Sequence, residues 1–144
     1  MTQFNNLLKN GYCVKRACGG LTASQLKYIA LESIIEDKPD IIIVNAGTNN
    51  FTKKRNQTAH EIAFEIVDIV KTCHTEGVEN ILVSSITCRP RFQRQIDEVN
   101  ELLKYNAGIY NYVFIDNACI REEHLKRDQT HLNSEGINIL SNNF

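Results

Sequence analysis

A three-layer α/β/α sandwich on a parallel sheet is the fold class this chain predicts, and three observations predict it. Ile41-Ile42-Ile43-Val44 is a run of branched apolar residues with no polar alternation, the pattern of a central strand buried on both faces. Similar runs recur at Asn80–Thr87 and, shorter, at Tyr112–Asp116. Between them lie segments of ten residues or more with apolar residues at helical spacing, and strands alternating with such helices build βαβ units. The 144 residues make a single domain, 1–144, with no repeat, low-complexity tract or linker.

In chain order, Phe4 to Asn10 reads as the tail of a helix, with Leu7 and Leu8 facing a core and Asn10-Gly11 as its stop. Tyr12 to Arg16 reads as a short strand. The glycine turn Ala17-Cys18-Gly19-Gly20-Leu21-Thr22 leads into a helix from Thr22 or Ser24 to Glu36, with Leu26, Ile29, Ala30, Ile34 and Ile35 facing inward. Pro39 ends it, because the ring disfavours helix at Lys38 and fits a strand only at its start. The central run Ile41–Val44 follows, then a polar basic loop, Phe51 to Gln57. Thr58 caps the next helix with Glu61 completing a capping box. Ile62, Phe64, Ile66, Val67, Ile69 and Val70 make this helix apolar over a wide arc, and Gly77 closes it. After the strand Asn80–Thr87 and the loop Cys88-Arg89-Pro90-Arg91, a helix runs from Phe92 to Tyr105 with Ile96, Val99, Leu102 and Leu103 on one stripe. Tyr112–Asp116 is the last strand, and Asp128 to Asn142 supplies a loop and a final helix carrying Ile137, Ile139 and Leu140.

Composition excludes several classes. Apolar content of 42% and charged content of 23% are those of an ordinary soluble domain. A net charge of −1 gives no electrostatic reason to expect nucleic acid or an anionic membrane as partner. The five cysteines, Cys13, Cys18, Cys73, Cys88 and Cys119, are odd in number and contain no CxxC, so a disulfide framework or zinc knuckle is not expected. No signal peptide or membrane-spanning stretch is present, which places the expectation in a reducing, intracellular and cytoplasmic setting. The sequons Asn50-Phe51-Thr52 and Asn56-Gln57-Thr58 read as chance matches on that ground. His60, His74 and His124 lack ligand spacing with Cys73 or Asp116, so neither a metal site nor a cofactor is expected.

Chemistry is expected at the carboxyl end of the central strand, where ligands sit in open parallel sheets. There the chain reads Ala46-Gly47-Thr48-Asn49-Asn50. Gly47 lets the backbone bend, and the Asn49 amide can donate to a developing oxyanion. The bland alternative is a turn made of the residues that turns favour. A second constellation is Asp128-Gln129-Thr130-His131, in which Asp128 can hold the Nδ1–H of His131 and leave Nε2 as a general base. Alone, Asp128 would as readily accept backbone N–H groups at a turn. Arg89, Arg91 and Arg94 read first as solvated residues at a helix start, and second as contacts for an acidic substrate group. Cys18 reads as a buried structural thiol rather than a nucleophile.

Taken together, these segments resemble the SGNH or GDSL-type hydrolases, α/β/α esterases and acyl hydrolases with a flavodoxin-like parallel sheet. The family's GxND block is similar to Gly47–Asn50, which puts the oxyanion amide on Asn49 and replaces the family's next Asp by Asn50. Its DxxH block is similar to Asp128 and His131. Its glycine block is similar to Cys18–Thr22, with Gly20, or else Gly19, as the backbone oxyanion donor. The likeness covers the chain from Tyr12 onward and implies a small acyl-ester or acylated-glycan substrate. Ser84 to Leu103 also resembles the SGNH domains carried by some invertebrate retroelements.

One block has no counterpart. The family's nucleophile sits in a Gly-Asp-Ser turn after the first strand, and the 19 residues before Gly20 contain no serine, only Thr2 and Tyr12 as hydroxyls. No nucleophile is assigned, and the resemblance predicts no turnover by the chain as it stands. In the family's 2-1-3-4-5 order the missing strand is the central one, beside Ile41–Val44, and its loss leaves a slot about 10 Å wide. The sheet can close, a partner chain can supply the strand, or the chain is an incomplete gene product that folds poorly. The last is the expectation, beside a non-catalytic ligand-binding module.

Overall fold

Three parallel strands form the sheet among the described residues. The structure, a computed structural model, describes Val14, Arg16 and residues 18–144. The helix expected at Phe4–Asn10 lies outside them, as does the strand at Tyr12–Arg16 apart from Val14 and Arg16. Helix α1 (Ala23–Asp37) starts at Thr22, whose N–H donates to the Gln25 side chain at 3.0 Å. It ends at Lys38, which takes a left-handed conformation (φ 45°) and donates its N–H to Ile34 O. Strand β1 (Ile41–Val44) then pairs in parallel with β2 (Asn80–Ser84), and β2 with β3 (Val113–Ile115), in the order β1-β2-β3.

The two crossover helices are α2 (Ala59–Thr75) and α3 (Gln93–Tyr110). Right-handed crossovers in a sheet that grows in one direction put both on the same face. Helix α1 packs on α2 and α2 on α3, so the three form one layer. The expected capping box at the start of α2 is present: Glu61 N–H donates to Thr58 Oγ1 at 3.2 Å, and Thr58 N–H to the Glu61 carboxylate at 2.7 Å. Those bonds lower the Glu61 pKa. Ile62, Ile66, Ile69 and Val70 of α2 are closed off from solvent, as are Ile96, Val99 and Leu103 of α3.

Several element ends differ from expectation, each for a local reason. Helix α3 runs on past Tyr105 until Asn111 adopts φ 56° and closes it. Strand β2 stops at Ser84 rather than Thr87: Ser85 N–H makes the last ladder bond, to Ile115 O, and Ile86 N–H then turns to the Asn100 side chain. Ile35, expected to face inward, is exposed, and so is Phe64, which lies under the ammonium of Lys71 instead. Phe51, assigned to a polar loop, is a core residue 2% exposed and packs on Phe92 at a ring distance of 6.0 Å. Cys18, expected buried, is exposed.

The central run also departs from its prediction. Side chains at matching register share a sheet face, so Val44 and Val83 point with Ile42 and Ile81 toward the helical layer, while Ile41, Ile43, Leu82 and Val113 lie on the other. Val83 is 0% exposed, but Ile41 is 51% and Val113 60% exposed. Strand β1 is thus an edge of the described sheet, and two-sided apolar strands have one face covered at this end. No helix among the described residues is long and apolar enough to cross a membrane.

Cys73, at the inner face of α2, is 0% exposed, and burial pushes its thiol up to about 11. With a thiol reagent at pH 8, exposed Cys18 and Cys119 should label at once and Cys73 only as fast as the molecule opens. Equal labelling rates, resolved by peptide mapping, would contradict this packing.

Candidate functional site

The turn after β1 is built by Gly47 and held from three directions. Gly47 takes φ 102°, and a Cβ there would stand 2.7 Å from the Ile86 side chain, so glycine is demanded by both conformation and space. Thr48–Asn50 then forms one short 3-10 turn. Asn49, half-exposed, donates Nδ2–H to Leu21 O at 2.9 Å, which draws it to the glycine turn, where Gly20 has φ 80°. Gly20 and Asn49 are therefore brought together, and Asn49 keeps a second N–H.

Asn50 is the more deeply set of the two amides, 1% exposed. Its Oδ1 accepts Ala23 N–H at the start of α1, at 3.0 Å. Its Nδ2 donates to Gln57 Oε1 (2.9 Å) and to Glu65 Oε2 (2.7 Å). Glu65 also accepts from Gln57 Nε2 at 2.6 Å, and Gln95 donates to Gln57 O at 2.6 Å, so three helices and the 51–57 loop meet here. This explains the asparagine. An aspartate could accept the Ala23 N–H, but its second oxygen would face the Glu65 carboxylate at hydrogen-bond distance.

The other constellation sits on a tight hairpin. Leu125 and Leu132 form an antiparallel bridge, Lys126 N–H donates to His131 O, and Gln129 takes φ 54° at the bend. Asp128 does both things weighed for it from sequence. Its Oδ1 accepts the N–H of Thr130 and of His131, each at 3.0 Å, and its Oδ2 meets His131 Nδ1 at 2.6 Å. The backbone and imidazole bonds from His131 push the Asp128 pKa well below the usual carboxylate range. An ionised carboxylate only accepts, so Nδ1 carries the proton and Nε2 points away with no partner among the described residues. Both side chains are open, Asp128 49% and His131 73% exposed.

Helix α4 (Ser134–Asn143) seats that hairpin. Asn133 caps it by accepting Gly136 N–H at 2.9 Å, and Gly136 passes so close that a Cβ would lie 2.5 Å from His124 O. At its far end Asn143 bonds the buried Asn117, which donates to Ser84 Oγ at 2.7 Å at the end of β2.

No contact joins Gly20 and Asn49 directly to Asp128 and His131; Arg89 stands between the pairs. Its Nη1 donates to Thr48 O at 2.6 Å and Phe51 O at 3.2 Å, clasping both ends of the Asn49 turn. Asp128 is near enough for its charge to raise the Arg89 pKa against the larger lowering by burial. Arg94, by contrast, is solvated as expected, 95% exposed. Arg89, expected first as a solvated residue at the helix start, is instead half-buried against the Asn49 turn, and sequence reasoning did not single out Gln57 or Glu65. The one signal was an arginine ahead of proline at a strand end, and carboxylates within apolar helices look like ordinary surface positions.

A mutant of an acetyl esterase, solved with an acetate ion, superposes with a TM-score of 0.78 at 18% identity, over 87% of this chain and 65% of that one. A carbohydrate esterase family 3 structure from Talaromyces cellulolyticus gives 0.77 at 19%, over 86% and 64%. An SGNH-hydrolase family esterase gives 0.65 at 18%, over 98% and 77%. The chain has the fold of the SGNH-type hydrolases. It spans just under two thirds of the first two chains, and the sheet of its described residues is consistent with that fold lacking some strands. No sequence family matches the chain, and no curated protein does.

Two predictions follow from the site's wiring. Asn50→Asp should cost about 1–3 kcal/mol at pH 7, because it sets two carboxylates against each other in a closed space. Glu65→Gln in the same chain should recover most of the loss, read by urea denaturation as a double-mutant cycle; independent, additive losses would refute the pairing. For Asp128 the folded pKa lies below the unfolded value. Its stabilisation is therefore complete above about pH 5 and fades as the pH falls below about 4 through the lower folded value. The melting-temperature deficit of Asp128→Asn should accordingly be largest at neutral pH and shrink on acidification; a deficit unchanged at pH 2 would remove the charge as its source.

Proposed function

We propose that this chain carries the base and oxyanion portions of an acyl-ester hydrolase and, as it stands, not its nucleophile. The observation that supports this reading best is the 2.6 Å contact between Asp128 Oδ2 and His131 Nδ1, with Nε2 unoccupied and solvent-open. Its context is a fold whose structural neighbours are esterases. In such a centre His131 takes the proton from a serine hydroxyl through Nε2 and later returns it to the leaving alcohol. Asp128 holds the imidazole in the tautomer that leaves Nε2 basic and stabilises the cation formed. The spare N–H of Asn49 and the backbone N–H of Gly20 stabilise the tetrahedral oxyanion. The substrate is a small acyl ester, an acylated glycan among them.

A second reading rests on β1. Its outer edge carries no strand among the described residues, and Ile41 beside it is 51% exposed despite an all-branched apolar sequence. A parallel strand added there by a partner segment would end at the same rim as Asn49, where a serine could meet Nε2 of His131.

A short-chain p-nitrophenyl ester assay tests both. The chain alone should show background turnover. Adding a synthetic peptide with an apolar strand followed by Gly-Asp-Ser should raise turnover and melting temperature, and His131→Ala should abolish the gain. Turnover by the chain alone that His131→Ala removes would mean a nucleophile exists within it. A peptide without effect on stability or rate would dispose of the added strand.

A further inference from the structure

Arg89 is a half-buried cation whose contacts are all neutral. Its Nη1 meets two backbone carbonyls, Thr48 O and Phe51 O, and its guanidinium lies 5.2 Å from the centre of the Phe92 ring. Arg16 and Lys27 differ, since their charged ends meet carboxylates at 3.0 Å or less. Asp128 does not neutralise Arg89 by contact. No ion pair joins them, and the Asp128 oxygens are taken by Thr130 N, His131 N and His131 Nδ1.

What Arg89 leaves unused is the point. Nε and Nη2 have no partner among the described residues, and no unbonded side-chain nitrogen is sealed from solvent, so both are reached by water. Nη1 and the Phe92 ring fix the plane of the guanidinium, and a fixed fork with two free donors is the geometry that takes an oxyanion in a bidentate grip. Removing a cation from water without a counter-ion is costly. Here the uncompensated charge borders the turn that carries Asn49.

We propose that Arg89 is a specificity-determining residue of this site, binding through Nε and Nη2 a carboxylate or phosphate carried by the ester substrate. This rests on the hydrolase reading of Asn49 above. The substrate class is then an ester with an anionic group beyond its scissile bond, for example the half-ester of a dicarboxylic acid, and neutral esters are the poorer ligands.

The test is binding, which needs no nucleophile. Monomethyl succinate and dimethyl succinate differ by one charge, and each can be titrated into the whole chain while NMR follows the Asn49 side-chain amide and the Arg89 Nε–H. Monomethyl succinate should bind about ten- to a hundredfold tighter, the span of one charge-assisted hydrogen bond. Arg89→Met should bring the ratio to about one, Arg89→Lys should keep part of it, and Asn49→Ala should weaken both esters alike. Should Arg89→Met not fold, the wild-type ratio and Arg89→Lys still decide. Equal binding of the two esters, with the Asn49 amide moving in both, overturns this inference and leaves the hydrolase reading standing. If neither ester moves the Asn49 amide, both fall. Inorganic phosphate moving Arg89 Nε–H without any preference between the esters would show a free-anion contact only and likewise overturn the proposal.

Discussion

A buried primary amide holds this site together. Asn50 has one acceptor and two donors, and the fold uses all three: the acceptor ends a helix N-terminus, and the donors reach a carboxylate and a second amide. Buried polar groups are costly when unmatched and specifying when matched. The network they form here ties α1, the 51–57 loop and α2 to the carboxyl end of β1. Asn49, half-exposed at that rim, directly precedes this closed-off amide in the chain.

The second half of the site is positioned differently. Asp128 and His131 belong to a hairpin closed by local bonds and steadied from below by α4, whose tight approach depends on Gly136. Local closure explains why the pair is geometrically complete while largely open to water. An imidazole in that state has its orientation and tautomer set and Nε2 open to water. Orientation of the pair is thus the work of α4 and the hairpin alone.

Much of the fold was legible because its signals are local or periodic. The capping box at Thr58 and Glu61, the stop at Gly77 and the apolar faces of α2 and α3 follow from spacing and backbone preference. The errors share a cause. Phe51 has the sequence surroundings of a loop because its neighbours are polar, and it is buried because Phe92, distant in sequence, arrives beside it. Ile35 and Phe64 obey the helical period yet face water, since a period defines a stripe without saying where the packed layer ends. The strand Ile41–Val44 has the sequence of a two-sided strand and, among the described residues, the surroundings of an edge.

By itself the sequence determined the alternation of strands and helices, the glycine bend after β1, and the short-range pair of Asp128 with His131, because each depends on residues within a few positions of one another. Only tertiary structure decided that Asn50 rather than an aspartate suits its place, that Arg89 clasps the Asn49 turn, and that Leu21 meets the Asn49 amide. Those contacts join residues 15 to 41 positions apart. Their partners are chosen by where the sheet and its helices come to rest, which no local pattern in the chain encodes.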